Sequence, residues 1–356
     1  MVATTPYQCL TLSLLILPPL LLTTYFMAIF PSPPAPIFIH PSLASMPPTS
    51  KSWSIYPEDF YPGGGYAAFP NGKVRYWLLG PENGKKVVLI HGLSVPAIIW
   101  KDVAPTLAAR GYRVLLYDLY GRGYSDAPIS SYNANLYTTQ LAFLMQYLKW
   151  EKANIVGLSM GGAIAASFTS QFPHLVDQGV GLIASAGLME SSDISRTSKF
   201  MSSPLVQTLA STRPVQAYLQ RLTNQTASDN EVEDKANSPI VEIVRIQSAH
   251  LSGYNNALSS SLRDGPIRGQ RAAFTSSAFE GKRVLIMHGT KDVTVNPKYA
   301  SQIYSLLPSA ARVKLLKIEG GGHDLSISHS KEVVDALIDL LSGQAKSWAA
   351  LQAKAS

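Results

Sequence analysis

Residues 157 to 162 read Gly-Leu-Ser-Met-Gly-Gly, set between the apolar run Ala153-Asn154-Ile155-Val156 and the small-residue helical pattern Ala163 to Phe168. A change from strand to helix over so few residues needs a sharp bend. Such a bend admits a serine only in a strained backbone conformation, with glycines two before and two after it to avoid a Cβ clash. The hydroxyl of Ser159 then stands exposed above the sheet edge. The amide of Met160 falls in the first turn of the helix, where an N–H without an intrahelical partner can face a developing oxyanion.

By itself a Gly-x-Ser-x-Gly match is a weak signal, and the surrounding strand ends give it weight. Lys86-Val87-Val88-Leu89-Ile90 ends in His91-Gly92-Leu93, and Arg283-Val284-Leu285-Ile286-Met287 ends in His288-Gly289-Thr290-Lys291-Asp292. Farther on, Val313 to Ile318 runs into Glu319-Gly320-Gly321-Gly322-His323-Asp324. A nucleophile, an acid and a base therefore follow one another as Ser159, Asp292 and His323, each at the end of an apolar run.

With the His91-Gly92 turn and the stretch Asp118-Leu119-Tyr120-Gly121-Arg122-Gly123-Tyr124-Ser125-Asp126, this order resembles the α/β-hydrolase superfamily over most of residues 70 to 342. The resemblance implies a serine hydrolase of the carboxylesterase or monoacylglycerol lipase kind, with a cap domain. Ser159 would be the nucleophile, His323 its base and Asp292 the group that orients the base. The amides of Leu93 and Met160 would form the oxyanion hole. A serine at the bend argues against the epoxide hydrolase and haloalkane dehalogenase branches, which use a carboxylate there. It leaves esterases, thioesterases, amidases, proline-type aminopeptidases and carbon–carbon bond hydrolases, beside a non-catalytic binding member of the fold. No cofactor is implied, and the substrate is a small-molecule ester or other acyl compound.

Seven apolar strands, at 74–79, 87–91, 113–118, 153–158, 180–185, 283–288 and 313–318, alternate with helical patterns such as Tyr137 to Leu148 and Pro297 to Leu307. That alternation predicts an α/β fold with a mostly parallel central sheet, helices on both faces and ligands at the carboxyl ends of the strands. Residues 188–270 break the rhythm, with helical stretches near Pro204–Leu222 and Pro239–Leu262 joined by the polar run Ser228 to Asp234. They are assigned as a helical cap or lid between a first part of the core, 51–187, and a last part, 271–356. Within the core, Trp100 reads as an anchor. Asp118, Arg122 and Asp126 read as stabilisers of a loop, and Asp324 as the cap of the next helix.

The chain has 356 residues, 46% of them hydrophobic, enough for a large core. Its net charge of +7 comes from scattered basic residues with no run interleaved with aromatics, which argues for solvated surface and against nucleic-acid binding. The single cysteine, Cys9, leaves the rest of the chain without disulfide, thiol nucleophile or cysteine ligand. No histidines share metal-site spacing, so no metal is expected.

From Cys9 to Phe30 no charged residue occurs, and the run is rich in leucine and long enough to cross a hydrocarbon core of about 30 Å as a helix. It is taken as an uncleaved single-pass membrane anchor. A cleaved secretory signal and a docked hydrophobic arm are the competing readings. With the proline-rich stretch that follows it makes up residues 1–50, anchor and stiff linker, and membrane anchorage in turn favours an apolar or lipid-like ester. The sequon Asn224-Gln225-Thr226 matters only in a secretory lumen.

Overall fold

The computed structural model describes residues 6–29, 36–194, 200, 203 and 238–343. The expected helix near Pro204–Leu222, the run Ser228 to Asp234, the sequon at Asn224 and the prolines 31, 33 and 34 of the linker lie outside the described residues. The chain divides into two compact units, Met1–Ile37 and Phe38–Ser356.

In the second unit eight strands form one sheet: β1 Gly64–Phe69, β2 Gly72–Leu79, β3 Lys85–Ile90, β4 Tyr112–Tyr117, β5 Ala153–Leu158, β6 Val176–Ile183, β7 Arg283–Gly289 and β8 Arg312–Ile318. Their order across the sheet is β8-β7-β6-β5-β3-β4-β2-β1. From β4 to β8 every pairing is parallel, while β2 joins β4 and β1 joins β2 antiparallel. The central strands run apolar toward their carboxyl ends because both faces are covered there. Along β3 the pleat sends Val88 and Ile90 into one core layer and Val87 and Leu89 into the other.

The helices of the first unit and of the sheet layers are α1 Pro6–Ile29, α2 Ala104–Ala109, α3 Ala134–Tyr147 and α4 Met160–Gln171. Between β6 and β7 lie α5 Pro239–His250 and α6 Ser252–Asp264, followed by α7 Lys298–Leu306 and α8 Ser330–Ser342 toward the end. Leu141 and Leu144 of α3 and Ile164 and Phe168 of α4 fill one layer. Leu107 of α2 and Leu337, Leu340 and Leu341 of α8 fill the other. The segment between β6 and β7 leaves and rejoins the core at a hydrogen-bonded stem: Gly187 and Met189 donate to the Ile267 carbonyl at 2.8 and 3.2 Å, and Gln270 to that of Gly187 at 2.9 Å. The single stretch expected over Pro239–Leu262 is two helices, broken at the extended residue Leu251.

The N-terminal run is helical, but the expectation of a single-pass membrane anchor is corrected. Among the described residues no helix is long and apolar enough to cross a membrane. Pro18 and Pro19 lie inside α1 and remove two backbone donors, and Thr23 and Thr24 turn their hydroxyls onto the Pro19 and Leu21 carbonyls at 2.7 and 2.9 Å. Thr11, Ser13 and Tyr25 break the leucine run further. The membrane location and the membrane as a partner fall with the anchor.

Candidate active site

Four turns at the carboxyl ends of β3, β5, β7 and β8 meet above the sheet, and each carries a residue picked out from the sequence. Ser159 takes φ 58° and ψ −121° between β5 and α4, a left-handed conformation rare for a residue with a side chain. Neighbouring groups hold it there: its amide donates to the Ile183 carbonyl at 2.9 Å, and its carbonyl accepts from Gly162 and Ala186 at 3.0 Å. The bend is possible only because two positions lack a side chain. A Cβ on Gly157 would stand 1.9 Å from the Gly161 oxygen, and one on Gly161 would stand 2.3 Å from the Ile90 oxygen. The turn after β3 approaches less tightly, for a Cβ on Gly92 would lie 3.3 Å from that of Ser159.

His323 sits in the turn after β8, its side chain 26% exposed. Its Nε2 lies 2.9 Å from Ser159 Oγ and its Nδ1 lies 2.7 Å from Asp292 Oδ2. A carboxylate only accepts, so Nδ1 carries the proton and Nε2 is left to accept the serine O–H. Asp292 is buried in the turn after β7. Its Oδ1 accepts from the amides of Thr294 and Val295 at 2.8 and 2.9 Å. Burial alone would raise its carboxyl, but hydrogen bonds from His288 and His323 and from the Val295 amide hold it well below the usual carboxylate range.

His288, at the end of β7, had no role assigned from the sequence. Its Nε2 stands 2.8 Å from the Val295 carbonyl and 3.2 Å from Asp292 Oδ2. An Nε2–H shared between those two oxygens satisfies both distances, with the carbonyl as the closer acceptor. It is a second imidazole on the same carboxylate. The spacing His288-Gly289-x-x-Asp292 was the available signal, since a turn of five residues can bring its ends together.

Met160 opens α4, so its amide is among those without an intrahelical acceptor. Leu93 follows Gly92 in the neighbouring turn, half-buried. Beneath that turn His91 is wholly buried; its Nε2 accepts from the Leu119 amide and its Nδ1 donates to the Gly92 carbonyl, both at 2.9 Å. Burial pushes this imidazole down to about 3, the Gly92 carbonyl opposing and the Arg122 charge adding to the shift. Asp118, also buried, accepts from the amides of Ala97 and Tyr124 at 2.8 Å and from the Tyr56 hydroxyl at 3.1 Å. Burial raises it to about 7 against the pull of those donors and of Arg75.

The other residues singled out do structural work. Trp100 is fully buried in the layer under α8. Asp126 accepts from the Lys73 amide at 2.8 Å and so ties its loop to β2. Asp324 opens the short helix Leu325–Ser328 through its carbonyl, and its side chain takes the Ser328 hydroxyl rather than a capping amide. No group of three or more His, Cys, Asp or Glu side chains that could hold a metal occurs among the described residues.

A model of the alpha/beta hydrolase fold matches residues 85–330, most of the chain. The chain belongs to the α/β-hydrolase fold family. Within it, an uncharacterized protein of Mycobacterium tuberculosis (strain ATCC 25618 / H37Rv) is 26% identical over 250 residues, 68% of this chain and 70% of its own length. The 2-hydroxymuconate semialdehyde hydrolase of Pseudomonas sp. (strain CF600) is 26% identical over 269 residues, 72% of this chain and 87% of its own. Among solved structures the carboxylesterase CesB of Bacillus subtilis superposes with a TM-score of 0.62 at 17% identity, covering 82% of this chain and 95% of its own. At that identity the likeness speaks for the α/β-hydrolase fold alone.

Proposed function

We propose that this α/β-hydrolase cleaves a carboxylic ester through an acyl-enzyme, with Ser159 as nucleophile, His323 as general base and acid, and Asp292 orienting His323. The observation that carries the reading is the continuous link from Ser159 Oγ through the two nitrogens of His323 to Asp292 Oδ2, at 2.9 and 2.7 Å. In it, Nε2 takes the serine proton as Oγ attacks the acyl carbon, and Asp292 stabilises the imidazolium that forms. His323 then gives the proton to the departing alkoxide. Water, deprotonated by the same nitrogen, releases the acid and restores Ser159. The carbonyl oxygen that becomes negative is received by the amides of Leu93 and Met160, each such donor contributing about 3 kcal/mol.

The segment between the Gly187 and Gln270 ends of the stem is taken as the cap. Preference for an apolar or lipid-like ester no longer draws support from an anchor and stands only as the simplest class for a site under a helical cap. Carbon–carbon bond hydrolysis is the second reading, favoured by the 26% identity to the 2-hydroxymuconate semialdehyde hydrolase over 87% of that protein.

Ser159→Ala is expected to lower turnover of a p-nitrophenyl ester by about 10³-fold or more, with the melting temperature little changed. It should also abolish labelling by a fluorophosphonate. Full activity in the variant would overturn the assignment. A panel of esters, thioesters, amides and vinylogous diketones then separates ester from carbon–carbon cleavage.

A further inference from the structure

Three successive carbonyls in the turn after β3 are each held by a buried side chain from a different part of the chain. The Gly92 carbonyl accepts from His91 Nδ1 at 2.9 Å. The Leu93 carbonyl accepts from Arg122 Nε at 2.8 Å. The Ser94 carbonyl accepts from the Tyr254 hydroxyl at 2.9 Å. The Gly92 carbonyl and the Leu93 N–H share one peptide plane, so the first bond sets the direction of that N–H. The next two bonds fix the planes that follow and oppose rotation about Leu93 and Ser94.

Two of these three supports run to α6, in the segment between β6 and β7. Tyr254 belongs to α6 and is buried. Arg122 is wholly buried, and its Nη2 donates to Ser261 Oγ of α6 at 2.9 Å, while Nη1 donates to the Tyr120 carbonyl and the Tyr137 hydroxyl at 3.0 and 2.7 Å. Among the described residues no carboxylate pairs with this guanidinium. Its charge is met by four oxygens and by the faces of Tyr132 and Tyr137, each 5.8 Å from the ring centre. A buried cation so placed tolerates no movement that breaks those bonds, because each lost acceptor leaves charge unsolvated. Ser261 is itself fixed, its hydroxyl within 2.7 Å of both the Ala257 carbonyl and the Tyr137 hydroxyl.

We propose that α6 is the positioning element of the oxyanion turn: Tyr254 directly, and Ser261 through Arg122, hold residues 93 and 94 so that the Leu93 amide points at the oxygen that becomes negative. The inference rests on the reading of Ser159 as nucleophile. It gives the cap a task besides covering substrate, since a shift of α6 withdraws a transition-state donor. The hydrogen bonds of Tyr254 and Ser261 go to Ser94, Arg122, Tyr137 and Ala257 and to none of Ser159, Asp292 and His323.

The test uses the full-length chain and two variants that each remove one oxygen, Tyr254→Phe and Ser261→Ala. Both are assayed on a p-nitrophenyl ester and with an alkyl trifluoromethyl ketone. The ketone reports the hole directly: Ser159 Oγ adds to its carbon, the hydroxyl proton passes to His323 Nε2, and the ketone oxygen becomes the bound oxyanion. A displaced donor acts on the transition state and not on ground-state binding, so kcat should fall about tenfold with KM within about twofold. The inhibitor should weaken by the same factor as kcat/KM. Circular dichroism checks the fold, and if Tyr254→Phe does not fold, Ser261→Ala carries the test alone. An unchanged kcat, or a loss confined to KM, would overturn the role of α6 while the inactivity of Ser159→Ala upheld the nucleophile. An active Ser159→Ala would overturn the reading beneath both.

Discussion

Burial moves His91 and Asp118 in opposite directions, and the two are linked through adjacent residues, since His91 takes the amide of Leu119. Asp118, raised to about 7 from an ordinary value of about 3.9, binds more protons folded than unfolded between those limits, so its contribution to stability is lost as pH rises through them. His91, lowered to about 3 from about 6.5, binds fewer protons folded than unfolded, so its contribution is lost as pH falls through that window. Between about pH 4 and 6.5 the two slopes oppose each other at about 1.4 kcal/mol per pH unit each. His91→Gln should therefore show a melting temperature that declines with rising pH across this window relative to the parent, and Asp118→Asn one that climbs. Melting curves at half-unit steps check it, and profiles parallel to the parent's would contradict a neutral His91 and a protonated Asp118 in the folded chain. Ser159, Asp292 and His323 could be singled out in the sequence because each follows an apolar run and a glycine turn, which is a local pattern. That their side chains meet depends on strand order; the bond of Tyr254 to Ser94 is made across the fold and left no local signal, whereas His288 meets Asp292 within one turn, whose spacing was on view.

At the scale of elements, the buried strands were legible to within a few residues because a strand covered on both faces must be apolar throughout. The sheet's antiparallel edge was not. β1, Gly-Gly-Tyr-Ala-Ala-Phe, is not among the expected strands because two glycines open it and its alternation is weak, yet it pairs with β2 from Gly64 opposite Trp77 to Phe69 opposite Gly72. The break at Leu251 between α5 and α6 also escaped notice, since no proline marks it and Gly253 falls inside the first turn of α6. The strand-to-helix bend behaves differently, since its glycines are fixed by contacts as well as by conformation. Gly161→Ala would put a methyl 2.3 Å from the Ile90 oxygen and 2.5 Å from that of His91, both backbone atoms in central strand and turn. Overpacking of this kind should cost about 3 kcal/mol and move α4 off Ser159. The urea midpoint should drop and esterase activity with it. A variant with the parent's midpoint would mean that the bend yields more easily than its contacts indicate.

For the molecule as a whole, composition marked residues 9 to 30 as unlike the rest, and the division of the chain into Met1–Ile37 and Phe38–Ser356 agrees with that contrast. Hydropathy did not foretell how much of the next stretch belongs to the hydrolase unit. Residues 38 to 50 read as linker, yet Ile39 and His40 pair with Pro128 and Ala127, and Leu43 is fully buried. Tyr56 lies beneath the sheet's edge with its hydroxyl on Asp118. These contacts are long-range and leave no periodicity in so short a segment. They set where the chain can be cut. A protein beginning at Phe38 should keep the parent's urea midpoint and its turnover of short esters, because every contact just named is retained. One beginning at Lys51 loses Leu43, whose removal from a packed site costs about 3 kcal/mol, together with the strand pair at Ile39. It should unfold at a clearly lower urea concentration while still labelling with a fluorophosphonate when folded. If the two truncated chains unfold at the same midpoint, residues 38 to 50 contribute nothing to the core. If the chain beginning at Phe38 already fails to fold, the unit boundary lies nearer the N-terminus than Ile37.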